Sequence, residues 1–132
     1  MKYLLDTNIC IYVINKKAPA LLRRLQSHRP DQFALSTITL AELAYGVVRS
    51  KRPEQNRTAL LSFVFPFKII DFDQAAALEY GWIRGYLESQ GRVIGPMDLL
   101  LAAQARSRGL TVVTNNEKEF NRIPALSVEN WT

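Results

Sequence analysis

Three acidic side chains stand where an α/β protein can do chemistry: Asp6, Glu42 and Asp98. Asp6 ends a short apolar stretch, and ligands of open α/β sheets bind just beyond the carboxyl ends of the strands. Asp98 lies in the first turn of a helix whose other faces are apolar. Glu42 lies opposite the apolar stripe of its helix. Each also has an ordinary structural role open to it: Asp6 could be a helix N-cap, Asp98 a partly exposed first-turn acid and Glu42 a member of a capping box.

A further polar group follows a late apolar strand, in the run Thr114-Asn115-Asn116-Glu117-Lys118-Glu119. Polar residues at the end of a strand mark the ligand edge of a parallel sheet. The same run is equally typical of a turn that begins a helix. Together with the three acids it forms a candidate cluster.

If these acids converge, they indicate a divalent-metal site. Mg²⁺ takes oxygen ligands, keeps several waters and is often held by one or two carboxylates plus a substrate phosphate. Two ions about 3.5–4 Å apart stabilise both the attacking and the leaving oxygen of a phosphodiester displacement. The metal must invert the local charge, because acids alone repel a phosphate. Basic side chains around the rim would hold a nucleic acid backbone.

Short apolar strands alternate with helices along the chain, which predicts an α/β fold with a parallel sheet covered on both faces. The predicted strands are residues 2–5, 33–36, 68–70, 110–114 and 126–128. The predicted helices are residues 9–15, 18–27, a segment from Thr39, residues 54–65, a segment from the N-cap Asp73 to Gln90, and residues 97–108. The last of these is apolar nearly all round, which is typical of a buried helix.

The helix from Thr39 has the clearest pattern. Thr39 and Glu42 match the T-x-x-E capping box that begins a helix. An apolar stripe follows at the spacing of one helix face, and it comprises Leu40, Leu43, Ala44, Val47 and Val48.

Composition narrows the class of protein. The 132 residues favour one domain over 1–132, and 17 basic against 12 acidic residues give a net charge of +5. This charge is compatible with a nucleic acid or an acidic protein partner. Cys10 and His28 are the only cysteine and histidine, which excludes a disulfide framework and a cysteine-based zinc site. We expect a cytoplasmic protein, because no apolar run reaches membrane-span length and Asp6 interrupts the N-terminal one.

Four segments together resemble a known family: MKYLLDTNICIY, STITLAELAYG, GRVIGPMDLLLAAQARSRGLTVVTNNEKEFNRIPAL and the ending VENW. They are similar to PIN-domain VapC toxins, in the same order and over essentially the whole chain. The resemblance implies a PIN-like three-layer fold. It also implies an Mg²⁺-dependent endoribonuclease, with Mn²⁺ as a substitute, that inhibits translation by cutting structured RNA such as tRNA. It further implies a VapB-type antitoxin partner and a homodimer.

The resemblance also implies residue roles. Asp6 and Asp98 match the metal-binding aspartates, and Glu42 matches the acid of the T-x-x-E segment. Many PIN domains have a fourth acid where this chain has Asn116, and Glu119 is carried as its substitute. Asn8 and Thr114 are expected to orient the acids by hydrogen bonds, and Asn116 is expected to be a third supporting residue.

Two other classes of function stay open on the residues alone. One is a non-catalytic RNA- or protein-binding module whose acids only cap helices, and it predicts RNA binding that a chelator does not affect. The other is a phosphotransfer or phosphatase enzyme that is itself phosphorylated on Asp6 during the reaction. The D-T-N sequence after that strand lacks the D-x-D pattern usual in aspartate phosphatases.

Overall fold

The computed structural model describes residues Met1–Thr132 as a five-stranded parallel sheet with helices on both faces. The strands are β1 (Tyr3–Leu5), β2 (Phe33–Ser36), β3 (Lys68–Ile70), β4 (Thr111–Val113) and β5 (Val128–Glu129). The helices are α1 (Thr7–Ile14), α2 (Pro19–Gln26), α3 (Thr37–Val48), α4 (Pro53–Val64), α5 (Gln74–Ser89), α6 (Pro96–Arg108) and α7 (Glu117–Phe120), with one 3₁₀ turn at Pro30–Gln32. The predicted α/β class with a parallel sheet is confirmed.

The strand order is β3-β2-β1-β4-β5, so the chain leaves β1 in one direction and later returns on its other side to form β4. Leu5 at the end of β1 pairs with Val113 at the end of β4. A crevice outside the carboxyl ends of two such strands is where open α/β sheets bind ligands. The topology therefore selects the β1–β4 edge.

Alternating strand residues build two apolar clusters, one on each face of the sheet. Leu4 and Val112 join the cluster formed with α5 and α6. Tyr3, Leu5 and Val113 join the cluster formed with α1 to α4. Three layers result, because each face of the sheet is covered by its own helices.

Helix α6 is buried as predicted: Leu99 and every residue from Leu101 to Ala105 are buried. It ends at Gly109, whose φ of 65° lies in the left-handed region that glycine adopts without strain. The buried amide of Gln104 donates to the carbonyls of Ile70 and Asp71, which ties α6 to the end of β3. These contacts fix the helix that carries Asp98.

The capping box predicted at Thr39 is wrong. Helix α3 begins two residues earlier, at Thr37, and its N-cap is Ser36, whose hydroxyl accepts from the Ile38 backbone N–H. A serine at the last position of β2 meets the first free N–H groups of the helix, so the cap forms there. Thr39 is instead a buried helix residue.

The apolar stripe of α3 is only partly correct. Leu43 is buried and Leu40 and Val47 pack against the core, whereas Ala44 and Val48 are exposed. Smaller differences concern element ends. Helix α1 begins at Thr7 rather than Ile9, β4 lacks the predicted end residues Leu110 and Thr114, and β5 is shifted to Val128–Glu129. No helix combines the length and the apolar character that a bilayer span needs.

Candidate active site

Asp6 lies at the carboxyl end of β1, buried to all but 3 % of its surface. One carboxylate oxygen, Oδ1, accepts from the Ile9 backbone N–H at 2.8 Å and thereby caps α1. The other, Oδ2, accepts from the hydroxyl of Thr114, which directly follows β4. The N-cap role considered for this aspartate is therefore present, and two neighbouring strands fix the carboxylate in one orientation.

Glu42 lies one turn into α3 and is held by Thr7. The Thr7 hydroxyl donates to Glu42 Oε1 at 2.6 Å and lies 3.2 Å from the Thr39 hydroxyl. The T-x-x-E segment thus brings Glu42 to the cleft and buries Thr39 beside the Thr7 hydroxyl, although it caps nothing. Thr7 was missed by the sequence reasoning; its signal was its place directly after Asp6.

Asp98 in the first turn of α6 is joined to Glu119 in α7 through an amide. Asn116 Nδ2 donates to Asp98 Oδ2 at 3.2 Å and to Glu119 Oε2 at 2.7 Å. Asn116 is itself held, because its backbone N–H donates to the Thr114 hydroxyl at 2.8 Å. The amide at this position therefore bridges two acids.

A cleft of about 500 Å³ opens above these groups. Its lining residues are Asp6, Thr7, Asn8, Ile11, Ala41, Glu42, Tyr45, Met97 and Asp98. The three acids singled out from the sequence thus share one cleft. Asn8 lines it too but makes no side-chain hydrogen bond to an acid, while Glu119 is connected to it through the Asn116 amide.

Burial and neighbouring negative charges raise the pKa of two of these acids. The pKa of Asp6 is raised to about 6: burial is the largest cause, the charges of Asp98 and Glu42 act in the same direction, and the hydrogen bonds from Thr114 and Ile9 oppose them. Burial likewise raises the pKa of Asp98, with a smaller contribution from the charges of Glu119 and Glu42. The four carboxyl groups therefore form one electrostatically coupled cluster.

This donor set fits a hard divalent cation. Oxygen ligands suit Mg²⁺. An added positive charge would also offset the free-energy cost of burying these carboxylates and of their mutual repulsion, the two effects that raise both aspartate pKa values. The structure contains no group of three or more His, Cys, Asp or Glu side chains that could by itself hold a metal ion. A bound Mg²⁺ would therefore take water or substrate oxygens beside one or two of these carboxylates.

Comparison with known proteins gives the family. Residues 3–126 match the model of the PIN domain. A tRNA(fMet)-specific endonuclease VapC from Shigella flexneri is 44% identical over 132 residues, which is 100% of this chain and 99% of that protein. Ribonuclease VapC2 from Rickettsia felis is 47% identical over 132 residues, with 99% and 98% covered. The chain belongs to the VapC-type PIN-domain family.

Solved structures agree with this assignment. VapBC2 from Rickettsia felis, bound to a DNA fragment from its promoter, superposes with a TM-score of 0.94 at 45% identity and covers 100% of both chains. DNA-bound VapBC from Salmonella typhimurium gives a TM-score of 0.95 at 40% identity, with 100% of this chain and 99% of that chain covered. The PIN-like fold expected from the resemblance is confirmed.

Besides Thr7, four lining residues of this VapC-type cleft were not singled out from the sequence: Ile11, Ala41, Tyr45 and Met97. Tyr45 and Met97 are both exposed although they are large and apolar. Tyr45 lies one turn after Glu42 on α3, and Met97 directly precedes Asp98 on α6. Proximity to the two acids in sequence was the only available signal for either residue.

Proposed function

We propose that this chain is a divalent-metal-dependent endoribonuclease, the toxin of a VapBC pair, which cuts tRNA and so inhibits translation. The observation that carries the proposal is the convergence of Asp6, Glu42 and Asp98 in one cleft at the carboxyl edge of the sheet. Glu119 joins them through Asn116. We expect the protein in the cytoplasm, where tRNA is found.

In this proposal Asp6 and Asp98 hold Mg²⁺, with Mn²⁺ as a substitute. The bound cation supplies positive charge that attracts the phosphate and stabilises charge on the reacting oxygens. Asp6 presents a fixed carboxylate because Thr114 and the Ile9 N–H orient it. Glu42, which accepts a hydrogen bond from Thr7, would orient the attacking water in this proposal, and no protein nucleophile is required.

The names of the relatives support the choice of substrate and partner in this proposal. The Shigella flexneri protein is named for tRNA(fMet), so initiator tRNA is the first substrate to test. The structures from Rickettsia felis and Salmonella typhimurium are VapBC complexes, so a VapB-type antitoxin is the proposed partner. We also propose one domain over residues 1–132 and a homodimer, whose mass light scattering measures directly.

The decisive experiment is cleavage of tRNA(fMet) and an elongator tRNA by the purified, antitoxin-free chain in Mg²⁺, Mn²⁺ or EDTA. We expect products with either metal, none with EDTA, and a loss of at least about 100-fold in Asp98→Asn, because that change removes a metal ligand without altering side-chain shape. Asp31→Asn is the matched control, since Asp31 is an exposed acid outside the cleft. Circular dichroism checks that both variants fold.

Full activity in folded Asp98→Asn would refute the site. RNA binding that EDTA leaves unchanged, without products, would favour the non-catalytic binding module instead. In that module Asp6 serves only as the cap of α1.

A further inference from the structure

The acidic cleft carries an apolar rim that metal binding does not explain. Three exposed large apolar side chains border it: Ile11 at 37 %, Met97 at 46 % and Tyr45 at 63 % exposure. Large apolar groups are expensive to leave in water when a core is available. A nucleic acid offers such groups a partner, because every base has a face on which an aromatic ring can stack.

Tyr45 is the rim residue best placed to meet a base. It follows Glu42 by three positions on α3, so both side chains lie on one face of the helix, one turn apart. Arg49, four positions further on, places its guanidinium 5.4 Å from the centre of the Tyr45 ring. Glu42, Tyr45 and Arg49 therefore form a row that leads from the acidic floor outwards along α3.

Arg49 is free to act on RNA. It forms no ion pair with a carboxylate and no side-chain hydrogen bond. Its guanidinium lies over the Tyr45 ring. The other two arginines that lie over an aromatic ring are already engaged. Arg24 lies over Trp131 and pairs with Glu129, and Arg106 lies over Trp82 and pairs with Glu79. The guanidinium of Arg49 thus keeps its donors for a phosphate.

We propose that Tyr45 is the stacking platform for an RNA base beside the scissile phosphate, and that Arg49 binds the neighbouring backbone phosphate. The inference rests on the proposed ribonuclease function and adds how that site grips its substrate. A single-stranded or splayed nucleotide is implied, since a base within a duplex cannot reach a side chain in this way.

The test is a thermodynamic cycle between the side chain and the base. The probe is a synthetic RNA hairpin that spans the cleavage site mapped on tRNA(fMet), made intact or with an abasic nucleotide at either position flanking the cut. We expect Tyr45→Ala to lower kcat/KM on the intact hairpin by about tenfold, and Tyr45→Phe to keep the activity because it keeps the ring. Phe65→Ala is the control, since Phe65 is an aromatic residue that is 89 % exposed and lies outside the cleft.

The abasic hairpins decide the mechanism. At the stacked position we expect the wild-type chain to lose about tenfold on base removal and Tyr45→Ala to lose nothing more, because both changes remove one interaction. Losses that multiply at both positions would overturn the proposal. If Tyr45→Ala lowers kcat/KM equally on all three hairpins and also has a lower mass than the wild-type chain by light scattering, Tyr45 belongs to a protein interface. That result would overturn the proposal as well.

Arg49 has a separate readout in salt dependence. One phosphate contact to a single strand changes the slope of log affinity against log salt by about 0.7. We expect Arg49→Gln to reduce the slope by this amount and Tyr45→Phe to leave it unchanged. Arg57→Gln, a change of an exposed arginine on α4, is the matched control. An unchanged slope in Arg49→Gln would refute the phosphate contact.

The same cycle measured on the dissociation constant in an Asp98→Asn background requires no cleavage. If the wild-type chain cuts no RNA, no cleavage site is mapped, so the cycle is measured on one hairpin for each tRNA(fMet) loop, with an abasic nucleotide at each loop position in turn. Coupling between Tyr45 and one base then means that the proposed function fails and the stacking platform stands. If cleavage depends on Asp98 but the cycle shows no coupling, the stacking platform alone fails.

Discussion

The buried carboxyl group of Asp6 makes the metal-free protein less stable as the pH rises. Its pKa lies near 3.8 in an unfolded chain and at about 6 in the fold, mainly because of burial. The folded state therefore binds the proton more tightly than the unfolded state does. The stabilisation is fully present below the unfolded pKa and is lost as the pH rises through the folded one.

The magnitude follows from the shift. One pKa unit corresponds to about 1.36 kcal/mol, so a shift of about two units gives about 3 kcal/mol between acidic and neutral pH. Asp98, whose pKa is also raised, acts in the same direction. Asp6→Asn removes the ionisation but keeps an amide oxygen that can accept from the Ile9 N–H, so the cap of α1 is retained.

We therefore expect Asp6→Asn to be more stable than the wild-type chain by about 1–3 kcal/mol at neutral pH in EDTA, with the difference shrinking towards about pH 4. The assay is urea unfolding at a series of pH values, followed by tryptophan fluorescence at one fixed protein concentration. Asp31→Asn, at an exposed acid, should show no such pH-dependent difference. A difference between wild type and Asp6→Asn that does not vary with pH, or that favours the wild type as the pH rises, would refute the reasoning.

Three further predictions concern the same cluster. Mg²⁺ at ten times its dissociation constant should stabilise the wild-type chain at neutral pH by about 1.4 kcal/mol in the same unfolding assay, and Asp98→Asn should lose this gain. Thr114→Val removes a hydrogen bond that lowers the pKa of Asp6, so the acid limb of the pH–activity profile should move to higher pH; an unmoved limb would contradict the role given to this hydroxyl. Asn116→Asp replaces a donor shared by Asp98 and Glu119 with a third negative charge, so we expect lower stability in EDTA and tighter Mg²⁺ binding by calorimetry; unchanged stability would show that the bridge contributes nothing.

Local signals with a steric or hydrogen-bonding cause made most of the fold predictable. Strand β2 and strand β3 have the predicted bounds, because each is a short apolar run between polar residues. Asp73 caps α5 through its side chain as expected, accepting from the Ala76 N–H at 3.0 Å. Gly91 and Gly109 both have positive φ at helix ends, which is the backbone geometry that glycine permits.

The errors arose where two local signals competed or where burial depended on tertiary contacts. Ser36 and Thr39 are both good N-caps, and the end of β2 decided in favour of Ser36. Ala44 and Val48 fit the apolar period of α3, yet no element covers them. Tyr45 was not predicted to line the cleft for a related reason: the sequence does not show which apolar residue stays exposed beside a cleft.

The sequence predicted which acids share the cleft. It set a structural role and a functional role against each other as alternatives, but one carboxylate can have both. Asp6 caps α1 with one oxygen and accepts from Thr114 with the other. A carboxylate has about four lone-pair sites, so these two bonds leave each oxygen able to bind a cation. The cap and the hydroxyl thus hold a charged, buried group in one orientation before any metal arrives. Ionising this carboxylate costs the fold about 3 kcal/mol, which is a large part of a typical net stability of about 5–15 kcal/mol. Such a group persists in a core only where another interaction offsets this cost. In the proposed function, a bound divalent cation supplies that offset.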